Sequence, residues 1–381
     1  PEDVFFQNPV DMARMIWALG EGRIRHRSFV SYCCNKIAND VATVPCTDIS
    51  STIYFLCKLR FHHRPLFNVL FSVPDKFIKE CDDASLMFFM HGFCDSGAGK
   101  EFEFRRWIDE CVIRIQSDST ELRTKTYLSW SVAVVLADGW SVGQNSRSGV
   151  AADAALFDRI IHASNIVWRE LLSNEVENES WVQQLTLLNV LEAMHTSEPS
   201  MIVANNGLVQ KARDVIGQQL SRSYLLKNMS NFQLDVEQAL QDLGTKYISE
   251  KFVCDQWVDF FLPDDNIVIE CDGPDHCIDD ITNVDAECDL NPAHQPVPNT
   301  EFSNEVSRCL WAKNLRFVNS TTILKSKILS HAGYHVINMP WHSWGKHRPS
   351  NLALLENLIE NTKQKGSKSD APNPECTVAR T

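Results

Sequence analysis

A stretch in the last third of the chain, WVDFFLPDDNIVIECDGPDH (257–276), decides the fold of the region around it. Residues 257–262 and 267–271 are rich in β-branched, aromatic and other apolar side chains, which favour strands. The turn-forming sequence Pro-Asp-Asp-Asn (263–266) separates them. The stretch is therefore predicted to form a β-hairpin with a short polar loop.

The hairpin is predicted to bring three carboxylates together. A loop centred between Asp264 and Asp265 places Asp259 opposite Glu270, and the two-residue period of a strand puts Asp272 on the same face as Glu270. Like charges directly opposite one another destabilise a sheet, so a divalent metal, a shared proton or a cation from elsewhere is expected to compensate. The alternative is a solvated sheet edge, which the apolar residues around these carboxylates disfavour.

A basic helix and a Trp-containing strand are predicted after the hairpin. The sequence TTILKSKILSHAG (321–333) carries an apolar stripe at helical spacing, and Gly333 is suited to ending the helix. The sequence YHVINMPWHSW (334–344) then predicts a strand and a turn. Lys325 and Lys327 lie on the helix and are candidates for the compensating cation or for phosphate contacts. Strands combined with this helix predict a mixed α/β core.

These motifs closely resemble the RAP domain, an RNA-binding module abundant in apicomplexan parasites. The resemblance covers residues 231–348 and rests on Asp259, the string Glu270-x-Asp272-Gly273-x-x-His276, Lys325, Gly333, Trp341 and Trp344. It implies a fold similar to restriction endonucleases of the PD-(D/E)xK and very-short-patch-repair types. It also implies action on transcripts or ribosomal RNA in mitochondria or chloroplasts. One departure is an insertion, residues 277–320, which is longer than the family pattern usually allows.

The carboxylates have two interpretations, a nuclease site or a binding-only site. In the nucleases that this fold resembles, a lysine stands two residues after the glutamate, where this chain has Asp272. Lys325 could substitute from the helix, so the catalytic candidates are Asp259, Glu270, Asp272 and Lys325, with Asp259 and Glu270 as candidate Mg²⁺ ligands. The favoured interpretation is a degenerate site whose carboxylates hydrogen-bond to His276 or pair with Lys325.

RNA contacts are expected mainly from a basic segment, residues 306–355. It contains seven Lys or Arg residues and no acid, whereas residues 264–305 contain twelve acids. A basic segment of an acidic protein can hold RNA, although a solvated basic face has the same sequence pattern. The RNA-binding candidates are His276, Arg308, Lys313, Arg316, Lys325, Lys327, Trp341, Trp344, Lys346 and Arg348. For the two tryptophans, base stacking and a place in the core are both open.

The first part of the chain is predicted to be a helical-repeat solenoid. MIWALGEGRIRHRSF (15–29) and TIYFLCKLRFHHRPLF (52–67) align with a period of 37 residues, and LMFFMHGF (86–93) and LSWSVAVVLADGW (128–140) are weaker copies. The resemblance implies repeats of octotricopeptide, heptatricopeptide or FAST-kinase-like type. Basic residues after the first helix of the first two repeats are candidates for an RNA surface or for solvated loops. They are Arg23, Arg25, His26, Arg60, His62, His63 and Arg64.

Composition excludes some classes of protein. A net charge of −13 argues against a protein that coats nucleic acid through bulk charge, and no run of about 20 apolar residues predicts a membrane span. The thirteen scattered cysteines favour reduced thiols over a disulfide framework. A weaker zinc hypothesis rests on residues that include no CxxC pair: Cys271, Cys277, Cys288, His294 and Cys309.

The sequence therefore predicts an α+β multidomain protein with an all-α solenoid (1–225), a RAP domain with its insertion (226–362) and a disordered tail (363–381). The expected function is binding of ribosomal RNA in the mitochondrial matrix, as a component or assembly factor of the mitochondrial ribosome, with ribonucleoprotein partners and no membrane insertion. A chloroplast or apicoplast location is less favoured. The alternatives are an RNA endonuclease or processing factor, and a protein-interaction scaffold. Because the chain begins with Pro1 and not Met, the natural N-terminus is expected to lie upstream, and a removed targeting peptide is compatible with this sequence but not indicated by it.

Overall fold

The computed structural model describes residues 8–96, 104–140, 154–173, 178–194, 213–214, 229–282, 315–345 and 347–366. The chain divides into two compact units, each discontinuous in sequence. The helical unit comprises residues 1–206 and 277–321, and the sheet unit comprises residues 207–276 and 322–381. The segment predicted as an insertion therefore groups with the helical unit.

The described helices are α1 (Pro9–Glu21), α2 (Arg27–Asn39), α3 (Cys46–Lys58), α4 (Arg64–Ser72), α5 (Pro74–Glu80), α6 (Asp83–Asp95), α7 (Arg105–Gln116), α8 (Leu122–Trp140), α9 (Ala154–Ser173), α10 (Asn178–Met194), α11 (Asn231–Asp242), α12 (Ser320–His331) and α13 (Arg348–Gly366). The described strands are β1 (Phe61–His62), β2 (Ile248–Val253), β3 (Gln256–Leu262), β4 (Ile267–Asp272), β5 (Cys277–Asp280), β6 (Leu315–Val318) and β7 (His335–Pro340). Within the described residues, no helix is long and apolar enough to cross a membrane.

The helical unit is a stack of paired helices with the predicted period. Helices α1, α3, α6, α8 and α10 pack on one another in that order, and α2 packs on α1 and α4 while α9 packs on α7, α8 and α10. Helices α1, α3 and α6 begin at Pro9, Cys46 and Asp83, at intervals of 37 residues (46 − 9 and 83 − 46). Helices α2 and α4 begin at Arg27 and Arg64, again 37 residues apart (64 − 27). The predicted period is therefore confirmed as the spacing of the helices.

The repeat extends to the connections between the helices. Arg23 and Arg60, which are 37 residues apart (60 − 23), both adopt the left-handed conformation, with φ of 53° and 57°. His26 and His63 both cap the following helix, because their Nδ1 atoms accept a hydrogen bond from the backbone N–H three residues later, at 3.3 Å in each case. The first two repeats therefore have the same backbone conformation and the same helix cap in the connection between their two helices.

A small sheet in the helical unit corrects the interpretation of its basic residues. Strand β5 pairs parallel with β1 and antiparallel with β6. Arg25 Nη2 donates to Asp279 Oδ2 of β5 at 3.1 Å, and Arg60 pairs with a buried aspartate of α6. His62 and His63 are fully buried, and burial lowers the pKa of each to about 4. These side chains were candidates for an RNA surface or for solvated loops, and the structure instead uses them to hold the unit together.

The sheet unit is a mixed sheet with helices on both sides. Its strand order is β2-β3-β4-β7, with β4 and β7 parallel and the other neighbours antiparallel. One apolar core joins the sheet to α11 and α13, and a second core includes Leu329 of α12. The hairpin loop is the predicted 263–266, because β3 ends at Leu262 and β4 begins at Ile267. The predicted α+β class is confirmed.

Helix α13 reaches into the segment that was predicted to be a disordered tail. The helix continues to Gly366, and Lys363 Nζ lies 3.2 Å from both Asp265 Oδ2 and Glu360 Oε1. These ion pairs stabilise the polar C-terminal end of α13. Residues 367–381 lie outside the described residues.

Candidate functional site

The β3–β4 hairpin has the register that the sequence predicts. Phe260 pairs with Ile269. The same offset, continued by one residue, sets Asp259 opposite Glu270. The short loop fixes this register, because a shift by one residue would move every side chain to the other face of the sheet.

Glu270 is the buried centre of the site. Its side chain is 5% exposed, and its Oε2 accepts a hydrogen bond from Lys325 Nζ of α12 at 2.5 Å. Burial raises the pKa of Glu270 to about 8; Lys325 opposes the rise, and the nearby charges of Asp259 and Asp272 add to it. The three carboxylates therefore influence one another as predicted, and the compensating cation comes from the helix.

Asp259 is held by donors that sequence reasoning missed. Its Oδ1 accepts from Gln233 Nε2 of α11 at 2.7 Å, and its Oδ2 accepts from the backbone N–H of Cys271 at 2.6 Å. Gln233 also completes a capping box, because its Oε1 accepts from the N–H of Ser230 at 2.8 Å. The sequence Ser-x-x-Gln signals the start of a helix, but nothing local indicates that the glutamine reaches a strand residue.

Asp272 lies beside a histidine on the other side of Glu270. Its Oδ1 is 3.1 Å from His276 Nδ1, and that nitrogen is also 2.8 Å from Thr322 Oγ1. The Asp272 side chain is buried, whereas the His276 side chain is 41% exposed. His276 therefore lies next to Asp272, but Asp272 Oδ1 makes no hydrogen bond among the described residues, and the hydrogen bond of His276 Nδ1 is to Thr322. Thr322 is a further member of the site that the sequence did not indicate.

The candidate Mg²⁺ site receives no support from this geometry. Both oxygens of Asp259 accept hydrogen bonds, and Lys325 engages one oxygen of Glu270, which leaves Glu270 Oε1 buried and without a hydrogen-bond partner among the described residues. Mg²⁺ prefers octahedral coordination by oxygen. Over the described ranges no group of three or more His, Cys, Asp or Glu side chains is arranged to hold a metal. The arrangement does not fit a magnesium ion held by Asp259 and Glu270.

The two candidate stacking tryptophans are core residues. Trp341 is 5% exposed and Trp344 is 4% exposed, and the Trp344 ring lies edge-on to Phe232 at 6.0 Å. A base cannot stack on a ring whose faces are covered by protein. Of the two alternatives weighed from the sequence, the structure shows the core for both side chains.

The structure places the charged RNA-binding candidates in several different surroundings. Arg348 pairs with Asp242, its Nε lying 3.0 Å from Oδ2, and Lys327 is half-buried on α12. Arg316 contributes backbone to β6 in the helical unit. Arg308, Lys313 and Lys346 lie outside the described residues, as do Cys288, His294 and Cys309 of the zinc hypothesis. Cys271 and Cys277 are buried free cysteines.

Comparison with known protein families identifies one domain of the chain. Residues 269–358 match the sequence pattern of the RAP domain family. The chain carries a RAP domain. The match begins in β4 and ends in α13, so it includes Glu270, Asp272 and Lys325 but not Asp259. No curated protein matches the chain.

The RAP domain indicates that the protein binds RNA. The match covers about a quarter of the chain and contains the segment 277–321, which the structure groups with the helical unit. The RAP sequence is therefore divided between the two units at residues 276/277 and 321/322.

Proposed function

We propose that the protein is a mitochondrial RNA-binding factor that holds ribosomal RNA as a component or assembly factor of the mitochondrial ribosome. The observation that carries this proposal is the RAP domain at residues 269–358. The net charge of −13 favours a place within a larger ribonucleoprotein over a free protein that binds any RNA, because bulk attraction to phosphates is weak at that charge.

Sedimentation of an organelle extract tests the ribosomal setting. We expect the protein to co-sediment with ribosomal particles or their precursors on a sucrose gradient, and to move to the top of the gradient after nuclease treatment. Recovery in the free fractions before nuclease treatment would contradict the proposal. Fractionation of mitochondria and plastids in the same experiment tests the proposed mitochondrial location.

A second candidate function, RNA cleavage, is favoured by one observation. Lys325 Nζ lies 2.5 Å from Glu270 Oε2, next to the charges of Asp259 and Asp272, so a lysine from the helix occupies the carboxylate cluster. This function predicts RNA cleavage that Asp259→Ala and Glu270→Ala abolish. Asp264→Ala is the matched control, because Asp264 lies on the loop of the same hairpin with a side chain 64% exposed. Cleavage that survives both site substitutions, or no cleavage by the wild type, would exclude this candidate.

A further inference from the structure

His276 is an exposed histidine next to the buried carboxylates of the sheet unit. Its side chain is 41% exposed, whereas that of Asp272 is 8% exposed. The sequence makes His276 a candidate for RNA binding, but it does not indicate which ring nitrogen faces a ligand or which chemical group that nitrogen would contact. The structure supplies both.

His276 follows the edge of the sheet where the parallel strands β4 and β7 end. Asp272 and Pro340 are the last residues of these strands, and they lie opposite each other. Ligands of open α/β sheets bind outside the carboxyl ends of parallel strands. Gly273 comes directly after Asp272, and a Cβ atom built on it would have no atom of the described residues within 4 Å. There is therefore open space at this edge, three residues before His276.

One ring nitrogen of His276 is held on the inner side of the imidazole. Nδ1 lies 2.8 Å from Thr322 Oγ1 and 3.1 Å from Asp272 Oδ1, and both of these residues are buried. The backbone is held as well, because the N–H of His276 donates to the carbonyl oxygen of Gly273 at 3.1 Å. The orientation of the ring is thus set from within the protein.

The carboxylate of Asp272 decides which ring nitrogen carries the proton when His276 is neutral. A lone pair on Nδ1 would face a carboxylate oxygen at 3.1 Å and would be repelled, whereas an N–H group there is stabilised by the negative charge. Nδ1–H then donates to Thr322 Oγ1. In a neutral imidazole with its proton on Nδ1, the other nitrogen, Nε2, is an acceptor.

A single acceptor suits a single hydroxyl group. Recognition of a base edge relies on at least two donors or acceptors in a fixed arrangement, as in a bidentate pair. An unprotonated phosphate oxygen is itself an acceptor, so it does not match an unprotonated nitrogen. Each ribose of RNA carries one donor of the required kind, the 2′-hydroxyl group, which DNA lacks.

We propose that Nε2 of His276 accepts a hydrogen bond from a ribose 2′-hydroxyl group, with Asp272 and Thr322 as positioning residues that keep the imidazole in its accepting tautomer. This inference rests on the proposed function, RNA binding, and adds the contact by which the protein distinguishes RNA from DNA. The three residues lie within the match to the RAP family and within the sheet unit.

The test measures the affinity of the full chain for two fluorescein-labelled single strands of the same mixed sequence, one of RNA and one of 2′-fluoro RNA. The fluoro strand keeps the sugar pucker of RNA but lacks the hydroxyl donor. We expect the wild type to prefer RNA. His276→Ala is expected to lower that preference about fivefold, the usual value of one hydrogen bond.

His335→Ala is the matched control for this substitution. His335 is another half-buried histidine of the sheet unit, but it pairs with Ile267 at the opposite end of the same two strands. Its replacement is expected to leave the preference for RNA unchanged. Thermal unfolding of every variant separates loss of binding from loss of fold.

Asp272→Asn tests the positioning role with a readout that a merely structural role would not move. The neutral amide no longer favours N–H over a lone pair at Nδ1, so the preference for RNA is expected to fall toward that of His276→Ala. Long-range proton–nitrogen NMR correlations of the His276 ring, recorded at a pH where the ring is neutral, show which nitrogen is protonated. We expect Nδ1 in the wild type, and a proton on Nε2 would overturn the inference.

The binding data separate this inference from the proposed function. The inference is supported if His276→Ala loses its preference for RNA while His335→Ala keeps it. It is overturned, with the proposed function intact, if the wild type binds RNA and His276→Ala retains the wild-type preference. An equal loss of affinity for both strands in His276→Ala would indicate a phosphate contact and would also overturn it. If the wild type binds no RNA, the proposed function fails and the inference fails with it.

Discussion

The helical unit is made by repetition, whereas the sheet unit is made by contacts that occur once. In the helical unit, left-handed Arg23 and Arg60 and the capping residues His26 and His63 recur at the spacing of the helices. In the sheet unit, Glu270 meets Lys325 from a distant part of the sequence, and no second copy of that pair exists among the described residues. Repetition can be detected in a sequence by its period, but a contact that occurs once has no such signal.

Burial drives titratable groups of both units toward their neutral forms, which shifts the pKa of histidines and of carboxyl groups in opposite directions. In the helical unit, burial lowers the pKa of His62 and His63 to about 4, so their rings are neutral at physiological pH. In the sheet unit, burial raises the pKa of Glu270 to about 8, so its carboxyl group holds a proton over a wide range. The contribution of His62 and His63 to stability is therefore expected to fall as the pH falls, and that of Glu270 to fall as the pH rises.

The largest expected effect comes from Lys325→Met. At about pH 9 the wild-type Glu270 is ionised and paired with Lys325. Without that cation the pKa of Glu270 rises further and the buried carboxyl group takes up a proton, so the total cost is about 2–3 kcal/mol. At about pH 6 the carboxyl group is protonated, and the cost falls to that of one hydrogen bond, about 1 kcal/mol. Urea unfolding at the two pH values measures both costs, with Lys327→Met on the same helix as the control. An equal loss at both pH values would contradict the raised pKa of Glu270.

The buried histidines predict an acid-sensitive helical unit. Between about pH 6.5 and 4 the unfolded chain binds protons that the folded unit excludes, so stability falls as the pH falls, by of the order of 3 kcal/mol for each histidine. His63→Asn keeps a good capping residue and removes one of these groups. Its unfolding free energy is expected to fall less steeply over this range than that of the wild type. Parallel curves for the two proteins would disprove the burial effect.

Gln233→Ala tests a contact that occurs once in the sheet unit. The substitution removes a helix cap and the donor to Asp259, with an expected loss of about 1–2 kcal/mol. Ser230→Ala removes the cap alone and is expected to cost about 1 kcal/mol. Chemical unfolding compares the two variants, and a larger loss for Ser230→Ala would show that the bond to Asp259 contributes nothing.

The smallest effect concerns the repeated left-handed arginines. Glycine adopts this conformation without strain, so Arg23→Gly is expected to stabilise the helical unit by about 0.5–1 kcal/mol. Arg60→Gly relieves the same strain but loses an ion pair, in which Arg60 Nη1 lies 3.1 Å from Asp95 Oδ2. We therefore expect no gain in the stability of the helical unit from this substitution. Thermal unfolding distinguishes the two, and a destabilised Arg23→Gly would contradict the expectation.

Two features could be predicted from the sequence because their signals are local or periodic. The loop at 263–266 set the register of Asp259 against Glu270, and the period of 37 residues located the helices. The pairing of β1 with β5 joins segments more than two hundred residues apart and has no local signal. The same reason applies to Gln233 and Thr322 in the site. The burial of Trp344 depends on its tertiary packing, which cannot be predicted from the charge pattern or the residue spacing of the sequence.

Crosslinking and sequencing of RNA bound to the protein in native organelle extract tests the central claim most directly. We predict crosslinks on ribosomal RNA, with protein adducts within residues 269–358. Crosslinks at transcript ends would instead direct attention to the carboxylate cluster as a cleavage site. The absence of any RNA crosslink would contradict RNA binding and favour a protein-interaction scaffold.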